Sequence, residues 1–384
     1  MKKNTTTHKK QTLAFISITL IIFSVISCKT QQSQSLQDTY APYFYIGAAV
    51  NSAHITGGDY DGGLLIKKHF SSITPENCMK WEQIHPEQNR YNFALADDYV
   101  KMGEQDSMFI VGHTLVWHSQ LAQWAQSITD SAELNTRMKE HIFRVMGQYK
   151  GRIHGWDVVN EALNEDGTLR ESIFYKIIGP DYIKQAFTYA HQADSNCELY
   201  YNDYNLVNTE KREGAIRIIQ ELQSEGVKID GVGMQGHWNL EWPSLEAIEE
   251  SIIAYSELGI KVMITELDIT VLPNPWDLQG ADVNQNFEQS EKMNPYPNFL
   301  PDSVDILLAK RYQDIFNIFL KHHDKISRVT FWGVHDGNSW LNNWPINGRT
   351  NYPLIFDRNY KPKRAYTLIM NAAHTNMQAK LNND

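Results

Sequence analysis

Short apolar runs rich in β-branched and aromatic residues recur along the chain, and they alternate with segments whose apolar residues repeat at intervals near 3.6. The first pattern predicts strands that are buried on both faces, as in parallel sheets, and the second predicts amphipathic helices. Several helical segments end in glycine, as helix C-termini commonly do. The predicted strands cover residues 43–50, 71–77, 108–118, 153–161, 198–204, 229–237, 261–269 and 328–336.

Eight strand–helix units in a chain of 384 residues indicate an α/β fold, a single-domain (β/α)8 barrel of the TIM type. A doubly wound open sheet is the alternative that the same alternation allows. The number of units favours the barrel. In a barrel, active-site groups lie at the carboxyl ends of the strands, so polar residues at those ends become the candidates for chemistry.

The amino-terminal segment is set apart from this fold. Basic residues open it, and an apolar run from Leu13 to Ser27 follows. This run is shorter than the ~20 residues of a transmembrane helix, so residues 1–27 are predicted to be a signal peptide. The run ends in VISC, which resembles a bacterial lipoprotein site with Cys28 as the acylated residue. An ordinary signal peptide with an incidental cysteine is the alternative.

Two further boundaries follow from composition. Residues 28–40 lack periodicity and are predicted to be a polar tether, which leaves residues 41–376 for the barrel. Within the barrel, the stretch 273–303 after the seventh predicted strand is rich in proline, asparagine and glutamine. So long a loop is either functional or disordered. If functional, it would contact distal parts of a substrate on one side of an active-site cleft.

The net charge argues against one class of binding partner, and the number of cysteines argues against a disulfide framework. Removing residues 1–27 takes away four lysines and no acid, which lowers the formal net charge from −10 to −14. A surface of that sign argues against nucleic acid as a partner. Cys78 and Cys197 could pair in an exported protein, but two lone cysteines are no disulfide framework, and we expect both to be small buried hydrophobes.

Acidic residues cluster in WDVVNEALNEDG, residues 156–167. Glu161 is predicted to be the last residue of its strand, where a barrel places catalytic groups. Asp157 lies inside the strand, paired either in the barrel interior or between barrel and helices. Glu165 and Asp166 follow in a turn and are expected to be solvated loop charges.

Glu266 has the same position in MITELDI, at the predicted end of another strand. Two carboxyl groups from separate strands can converge on one scissile bond, as glycoside hydrolysis requires. One group must be protonated to donate to the leaving oxygen, and the other must be ionised to attack the anomeric carbon. Unequal solvation and mutual repulsion separate the pKa values of such a pair.

Seven motifs at predicted strand ends, ENCMKW, GHTLVWH, WDVVNEA, YYNDYN, GMQGH, ITELDI and TFWG, resemble glycoside hydrolase family 10, the endo-1,4-β-xylanases. The resemblance runs from about Ile46 to Tyr366. It implies a retaining hydrolase that cleaves internal bonds of xylan through a covalent glycosyl-enzyme, with its two carboxyl groups ~5–5.5 Å apart. It also implies no cofactor, xylan and xylo-oligosaccharides as partners, and a monomer.

The resemblance assigns roles residue by residue. Glu161 would be the acid/base and Glu266 the nucleophile, while Asn160 would bind the sugar 2-hydroxyl at subsite −1. The supporting residues would be His237, which orients the nucleophile, Asp268 behind it, and Gln235 near the acid/base.

The same resemblance places the sugar-binding residues. Glu76, Asn77 and Lys80 would bind hydroxyls on the glycone side, and Tyr204 would stack on the aglycone side. The walls of subsite −1 would come from His113, Trp117, Trp332 and Trp340. The remaining tryptophans considered, for which core or loop packing is expected, are Trp81, Trp124, Trp238, Trp242, Trp276 and Trp344.

Other chemistries find little support. GVGMQG, residues 231–236, spells a dinucleotide motif, but a strand runs through it and no helix opens behind it, so the glycines are expected to permit close packing. The sequence has no His/Cys spacing typical of a metal site and no Gly-x-Ser-x-Gly elbow. A β-1,4-glucanase on the same scaffold and a non-catalytic glycan-binding lipoprotein remain the alternatives. In each case the protein would be exported to the cell envelope, facing the periplasm or the cell surface.

Overall fold

The computed structural model describes Met1, residues 35–278 and residues 280–381. Its strands are β1 (Tyr45–Val50), β2 (Ser72–Pro75), β3 (Phe109–Trp117), β4 (Gly155–Asn160), β5 (Glu198–Asp203), β6 (Gly231–Met234), β7 (His237–Asn239), β8 (Lys261–Thr270) and β9 (Ile326–Phe331). Every pairing among them is parallel. β1 pairs with β9 and β6 pairs with β8, which closes eight strands into a ring, while the short β7 pairs only with β8. The (β/α)8 barrel is confirmed, and the open sheet is excluded.

Helices surround the ring. They are α1 (Leu36–Tyr40), α2 (Ser52–Thr56), α3 (Tyr60–His69), α4 (Trp81–Ile84), α5 (Ala94–Gln105), α6 (Gln123–Gln126), α7 (Ser131–Gln148), α8 (Ile173–Ile178), α9 (Tyr182–Ala193), α10 (Thr209–Ser224), α11 (Leu245–Ser256), α12 (Asp302–Lys321) and α13 (Arg364–Leu381). Side-chain caps begin several of them: Asp130 accepts from the Glu133 amide at α7, and Ser244 accepts from the Ala247 amide at α11. Among the described residues, none of these helices combines the length and apolar character needed to cross a membrane.

The core fills the barrel and the space between its strands and the helices, with large aromatic side chains such as Trp156 and Tyr200 fully buried. Gly112 on β3 pairs with Trp156 on β4, and a Cβ at Gly112 would lie 2.1 Å from the indole ring. Only glycine therefore leaves room for that ring. Cys78 and Cys197 are buried and unpaired with each other, as expected.

The predicted boundaries need two corrections. The chain from Ser35 onward belongs to one compact unit, so the last part of the predicted tether, residues 35–40, is instead the buried helix α1. Tyr40 packs there and donates its hydroxyl to the Ile369 carbonyl. At the other end, α13 extends to Leu381 rather than stopping near residue 376. The predicted signal peptide and Cys28 lie outside the described residues.

The stretch 273–303 contains one short 3-10 helix, Glu291–Met293, and is otherwise irregular in its described part up to Pro301, after which α12 begins. Several hydrogen bonds hold this stretch against the loop that comes after β9. The Arg349 guanidinium donates to the Pro273 carbonyl, and the Phe287 amide donates to the Pro345 carbonyl. The stretch therefore has a defined path on the face of the barrel where the strands end.

Candidate active site

Glu161 and Glu266 line one cavity of about 120 Å³ at the carboxyl ends of the strands. Their exposed fractions are only 5% and 4%. Both positions differ slightly from prediction: Glu161 is the first residue after β4, and β8 continues four residues beyond Glu266 to Thr270. β8 pairs with β6 only as far as Ile264, so Glu266 still stands where the barrel layer ends.

The backbone of Glu161 is held in an uncommon conformation, with φ at 56°. Its amide donates to the Asn202 carbonyl, and its carbonyl accepts from the Arg170 guanidinium at 3.2 Å. A non-glycine residue in the left-handed region costs about 1–3 kcal/mol and persists where its surroundings fix it, most often at functional sites. This backbone strain, which the sequence pattern did not reveal, is independent support for Glu161 as a working residue.

Burial raises the pKa of Glu161 above its ordinary value, and the nearby negative charge of Glu266 raises it further. Hydrogen bonds partly oppose this rise: the Trp117 indole donates at 2.8 Å, and the Gln235 amide donates at 3.0 Å. The balance favours the protonated form of Glu161 more than water would. Such a carboxyl group is suited to act as a general acid.

Glu266 has the opposite shift. Burial raises its pKa, but the hydrogen bond and positive charge of His237 outweigh burial and bring the pKa below the ordinary value. One carboxylate oxygen accepts from His237 Nε2 at 3.1 Å, and the other accepts from the Asn202 amide at 2.8 Å. Glu266 is therefore held ionised and oriented, as a nucleophile requires.

His237 is itself held in its charged form. Burial lowers its pKa, but Asp268 and Glu266 on its two nitrogens raise it to about 10. Nδ1 lies 3.0 Å from Asp268, whose second oxygen accepts from the Trp340 indole at 2.7 Å. The structure thus joins His237, Asp268 and Trp340 into a support for Glu266.

Asn202, which the sequence reasoning passed over, connects the two carboxyl groups. Its amide donates to Asn160 at 2.9 Å as well as to Glu266, and its own oxygen accepts from the Thr265 hydroxyl. The sequence did contain a signal for this residue: it is a polar side chain near the end of the apolar strand β5, in YYNDY. From that motif only Tyr204 was predicted to bind sugar.

The predicted glycone residues lie on one wall of the same cavity. Lys80 Nζ donates to Asn77 at 3.0 Å and to Gln120, a residue not singled out from the sequence, at 2.8 Å. Burial lowers the pKa of Lys80 below its ordinary value, and the negative charges of Glu76, Glu266 and Glu161 oppose this only in part. The ammonium also lies 4.9 Å from the centre of the Trp117 ring. The wall offers donors and acceptors to sugar hydroxyls.

His113, Trp332 and Trp340 complete the cavity. His113 Nδ1 lies 2.9 Å from Asp157, which settles the alternatives for Asp157: it pairs with a barrel histidine beside the cavity. The His113 ring meets the Trp332 ring edge-on at 5.4 Å between centres. The structure therefore brings the predicted subsite −1 residues together around the two carboxyl groups.

Tyr204 is covered in this structure, with only 3% of its surface exposed, so its stacking on a sugar stays a prediction. Its hydroxyl accepts from Arg170, and Lys211 Nζ lies 3.5 Å from its ring centre. Glu165 departs from prediction: it pairs with the buried Lys211 at 3.2 Å instead of being only a solvated loop charge. Asp166 is exposed, as expected, and accepts from Thr168.

Most of the tryptophans expected to pack do so, since Trp81 and Trp238 are buried and Trp124, Trp242 and Trp344 are partly buried. Trp344 stacks on Trp340 with 4.5 Å between ring centres. The prediction for Trp276 is wrong, because this side chain on the long loop is 95% exposed.

The glycine motif packs as expected. Gly233 on β6 approaches Asn202 so closely that a Cβ would lie 2.2 Å from the Asn202 amide oxygen. Gly236 has φ at 90° and leads into β7 rather than into a helix. The motif therefore contributes to the positioning of Asn202 and has no helix N-terminus to offer a nucleotide.

One group of described side chains, His54, Asp59 and His335, could geometrically hold a metal ion. In each histidine, however, Nδ1 accepts a backbone N–H, from Asn51 in one case and Gly337 in the other, both at 3.2 Å. Each Nε2 must then carry a proton, and both point at Asp59. These rings act as hydrogen-bond donors rather than metal ligands.

Comparisons with known proteins agree with this geometry. The family model described as glycosyl hydrolase family 10 matches residues 35–372. An endo-1,4-β-xylanase A from Xylanibacter ruminicola is 45% identical over 343 residues, covering 88% of this chain and 93% of that relative. A β-1,4-xylanase from Dictyoglomus thermophilum is 42% identical, covering 88% of this chain and 91% of that relative.

Solved structures give the same result. A family 10 endoxylanase from a sugarcane soil metagenome is 44% identical with a TM-score of 0.84, covering 88% of this chain and 99% of that one. A xylanase from Paenibacillus barcinonensis in complex with a conduramine derivative is 36% identical with a TM-score of 0.78, with the same coverage. The family model and these relatives show that the chain belongs to glycoside hydrolase family 10, in agreement with its barrel and its paired carboxyl groups.

Proposed function

We propose that this protein is a retaining endo-1,4-β-xylanase in which Glu161 is the acid/base and Glu266 the nucleophile. The observation that carries the proposal is the opposite pKa shift of two buried carboxyl groups facing one cavity. Environments that separate the pKa values of two such groups define an acid and a nucleophile. The names of the relatives supply the substrate class.

In the first step, the Glu266 carboxylate attacks the anomeric carbon while Glu161 transfers its proton to the departing glycosidic oxygen. The bond to the leaving sugar breaks, and a covalent glycosyl-enzyme forms on Glu266. Glu161, now ionised, then takes a proton from water, whose oxygen attacks the same carbon and releases Glu266. Two inversions give net retention, and Glu161 ends protonated as it began.

The surrounding side chains position the sugar. Asn160, held by Asn202, would bind the 2-hydroxyl, a contact that strengthens in the oxocarbenium-like transition state. Trp332 and Trp340 would limit space near the ring, which decides whether a glucosyl hydroxymethyl group fits beside Lys80. A β-1,4-glucanase activity on the same scaffold is therefore a question of room at these three side chains.

Kinetics of two variants test the assignment. Glu266→Ala should abolish turnover while leaving xylo-oligosaccharide binding intact, because only the attacking group is lost. Glu161→Ala should slow xylan hydrolysis far more than hydrolysis of aryl glycosides with activated leaving groups, which need no protonation. Asp302→Ala, at an exposed carboxylate on α12 that does not line the cavity, is the control.

Five outcomes would contradict the proposal. Reducing-sugar release by Glu266→Ala near the wild-type rate would place the nucleophile elsewhere. Equal losses on both substrates in Glu161→Ala would remove its role as acid. Inversion in the anomeric NMR spectrum of the first product would exclude double displacement. Absence of any release from xylan by the wild-type protein would favour the non-catalytic glycan-binding lipoprotein, and preference for cellulose would favour the glucanase.

We also propose export to the cell envelope with a lipid anchor on Cys28, which rests on the sequence of residues 1–28. Cys28→Ser should abolish incorporation of labelled palmitate and move the protein from the membrane fraction to the soluble fraction. Cys78→Ser, at a buried cysteine, is the matched control and should change neither. Undiminished labelling of Cys28→Ser would contradict the anchor.

A further inference from the structure

Residues 280–284 of the long loop, here called the strap, cross the mouth of the barrel. They follow β8, yet Asn284 donates its side-chain amide to the Ser119 hydroxyl at 3.0 Å, and Ser119 follows β3. In the ring of eight strands β3 stands opposite β8. The strap therefore spans the face of the barrel on which the two catalytic carboxyl groups lie.

The strap divides the space above the strands into two cavities. The catalytic cavity of about 120 Å³ is lined by Ala281 and Val283 of the strap. A second cavity of about 360 Å³ is lined by Gly280 and Ala281, together with Trp238 and Glu165. Ala281 borders both cavities and is only 6% exposed. Ala281 therefore lies between the two cavities on the strap side, while His237 borders both cavities from the barrel side.

The size of the catalytic cavity makes this division significant. Pockets that enclose drug-sized ligands usually measure about 300–1,000 Å³, whereas this one measures about 120 Å³. It has no room for several consecutive sugar units. Cleavage inside a polymer nevertheless requires sugars on both sides of the scissile bond at once.

The strap also covers the aromatic ring predicted to stack on the aglycone side. A Cβ added at Gly280 would lie 2.4 Å from a ring carbon of Tyr204, so the backbone rests against the ring. Gly280 has φ at 54°, a conformation that glycine adopts without strain. Tyr204 can meet a sugar only after this backbone moves.

The side-chain contacts that hold the strap down are few and partly exposed. Asp282 pairs with Arg170 at 3.5 Å, and both side chains reach solvent. Its carbonyl accepts from the Trp344 indole at 3.2 Å, and Asn284 binds Ser119 as described. Exposed ion pairs are weak and screened by salt. The contacts named here, all between described residues, are one partly exposed ion pair and two hydrogen bonds.

We propose that the strap is a displaceable bridge that must lift before a xylan chain can occupy both sides of the scissile bond. The inference rests on the proposed function and adds a conformational step to it. Binding of a chain is weakened by the fraction of molecules in which the strap is closed, since only the lifted form is competent. A glycone-only substrate avoids this loss.

Tethering the strap tests the proposal directly. In Ser119→Cys/Asn284→Cys, a short bis-methanethiosulfonate reagent would bridge the two thiols, and dithiothreitol would release them. The tethered protein should lose at least about tenfold in xylan hydrolysis and regain it on reduction. β-Xylobiosyl fluoride, whose leaving group is a single atom, should still be turned over within about threefold. The single variants Ser119→Cys and Asn284→Cys, treated alike, are the controls.

Each result is informative once mass spectrometry verifies the bridge. Xylan hydrolysis at the untethered rate would overturn the proposal while leaving the proposed function intact. Loss of fluoride release together with xylan hydrolysis would also overturn it, because the strap would then obstruct the glycone side as well. If the wild-type protein does not hydrolyse xylan, the proposed function is contradicted, and the strap proposal, which rests on it, is contradicted as well.

Weakening the strap gives an independent measurement. Asp282→Ala removes the pairing with Arg170, and it should lower KM for xylan severalfold with little change in kcat or in fluoride release. Asn286→Ala, at an exposed side chain on the same loop, is the matched control and should leave KM unchanged. An unchanged KM in Asp282→Ala would count against a closed strap in the free enzyme.

Discussion

At the scale of single residues, the cavity gives two glutamates, which carry the same chemical group, opposite pKa shifts. Glu161 and Glu266 are both buried, and burial alone would raise both pKa values. The difference comes from their neighbours. Glu161 accepts from neutral donors, Trp117 and Gln235, while Glu266 accepts from a charged imidazolium. The hydrogen bond and charge of His237 are the largest of the effects that lower the pKa of Glu266.

Asp268→Asn tests this dependence. The asparagine oxygen can still accept from His237 Nδ1, but the negative charge that raises the pKa of His237 is gone. His237 would then lose its proton at a lower pH than in the wild-type protein. We expect the pH profile of the His237 NMR signals to move to lower pH by on the order of one unit.

The control for that experiment is Asp302→Asn, which changes an exposed carboxylate on α12 far from the cavity. It should leave the pH profile unchanged. A fall in kcat for Asp268→Asn with an unmoved His237 titration would contradict the electrostatic role and leave Asp268 with a packing role only.

At the scale of elements, the alternation of patterns was enough to find the eight barrel strands, because parallel strands buried on both faces are continuously apolar. Their ends were less certain. Glu161 lies outside β4 because its backbone turns into the left-handed region, which no periodicity encodes. The long loop was also beyond prediction, since its path depends on contacts with Ser119 and Arg349 far away in sequence.

The helix α1 was missed for a different reason. It has only five residues, too few for helical periodicity to appear, and most of its neighbours in sequence are polar. It forms because Leu36 and Tyr40 are fully buried and Ser35 caps its first turn. Tertiary packing, rather than local propensity, stabilises so short a helix.

Tyr40→Ala should therefore destabilise the whole barrel. The change removes a ring that packs on Phe44 and Phe316, and a hydroxyl bonded to the Ile369 carbonyl in α13. Losing a large buried aromatic side chain costs about 3–5 kcal/mol. Urea unfolding should show this loss, whereas Tyr60→Ala, at an exposed tyrosine, should change stability by less than about 0.5 kcal/mol. Equal effects of the two variants would refute the packing of α1.

At the scale of the whole molecule, closure of the ring makes the site rigid. Residues at the ends of β4, β5 and β8 converge through Asn202, and hydrogen bonds join them across three strands. The same burial has a consequence for stability. Burial lowers the pKa to about 4 for four histidines dispersed over the barrel, His54, His69, His85 and His118.

Because the pKa values of these histidines are lowered in the folded protein, the free energy of unfolding is expected to fall in acid. In the unfolded chain these rings take up protons below their ordinary value of 6.5, whereas in the folded protein they resist until about pH 4. Their contribution to stability is complete above pH 6.5 and is lost as the pH falls toward 4. His237 has the opposite sign: its pKa is raised to about 10, so its contribution is constant below 6.5 and is lost only as the pH rises toward 10.

Urea unfolding measured between pH 7 and pH 5 should therefore show falling stability, with each such histidine adding at most about 1.4 kcal/mol per pH unit. His69→Gln should flatten this slope, because the ring whose Nδ1 accepts from the Leu36 amide can no longer be protonated on unfolding. His191→Gln, at an exposed histidine, should leave the slope unchanged. Parallel slopes for wild type and His69→Gln would show that His69 titrates alike in the folded and unfolded protein.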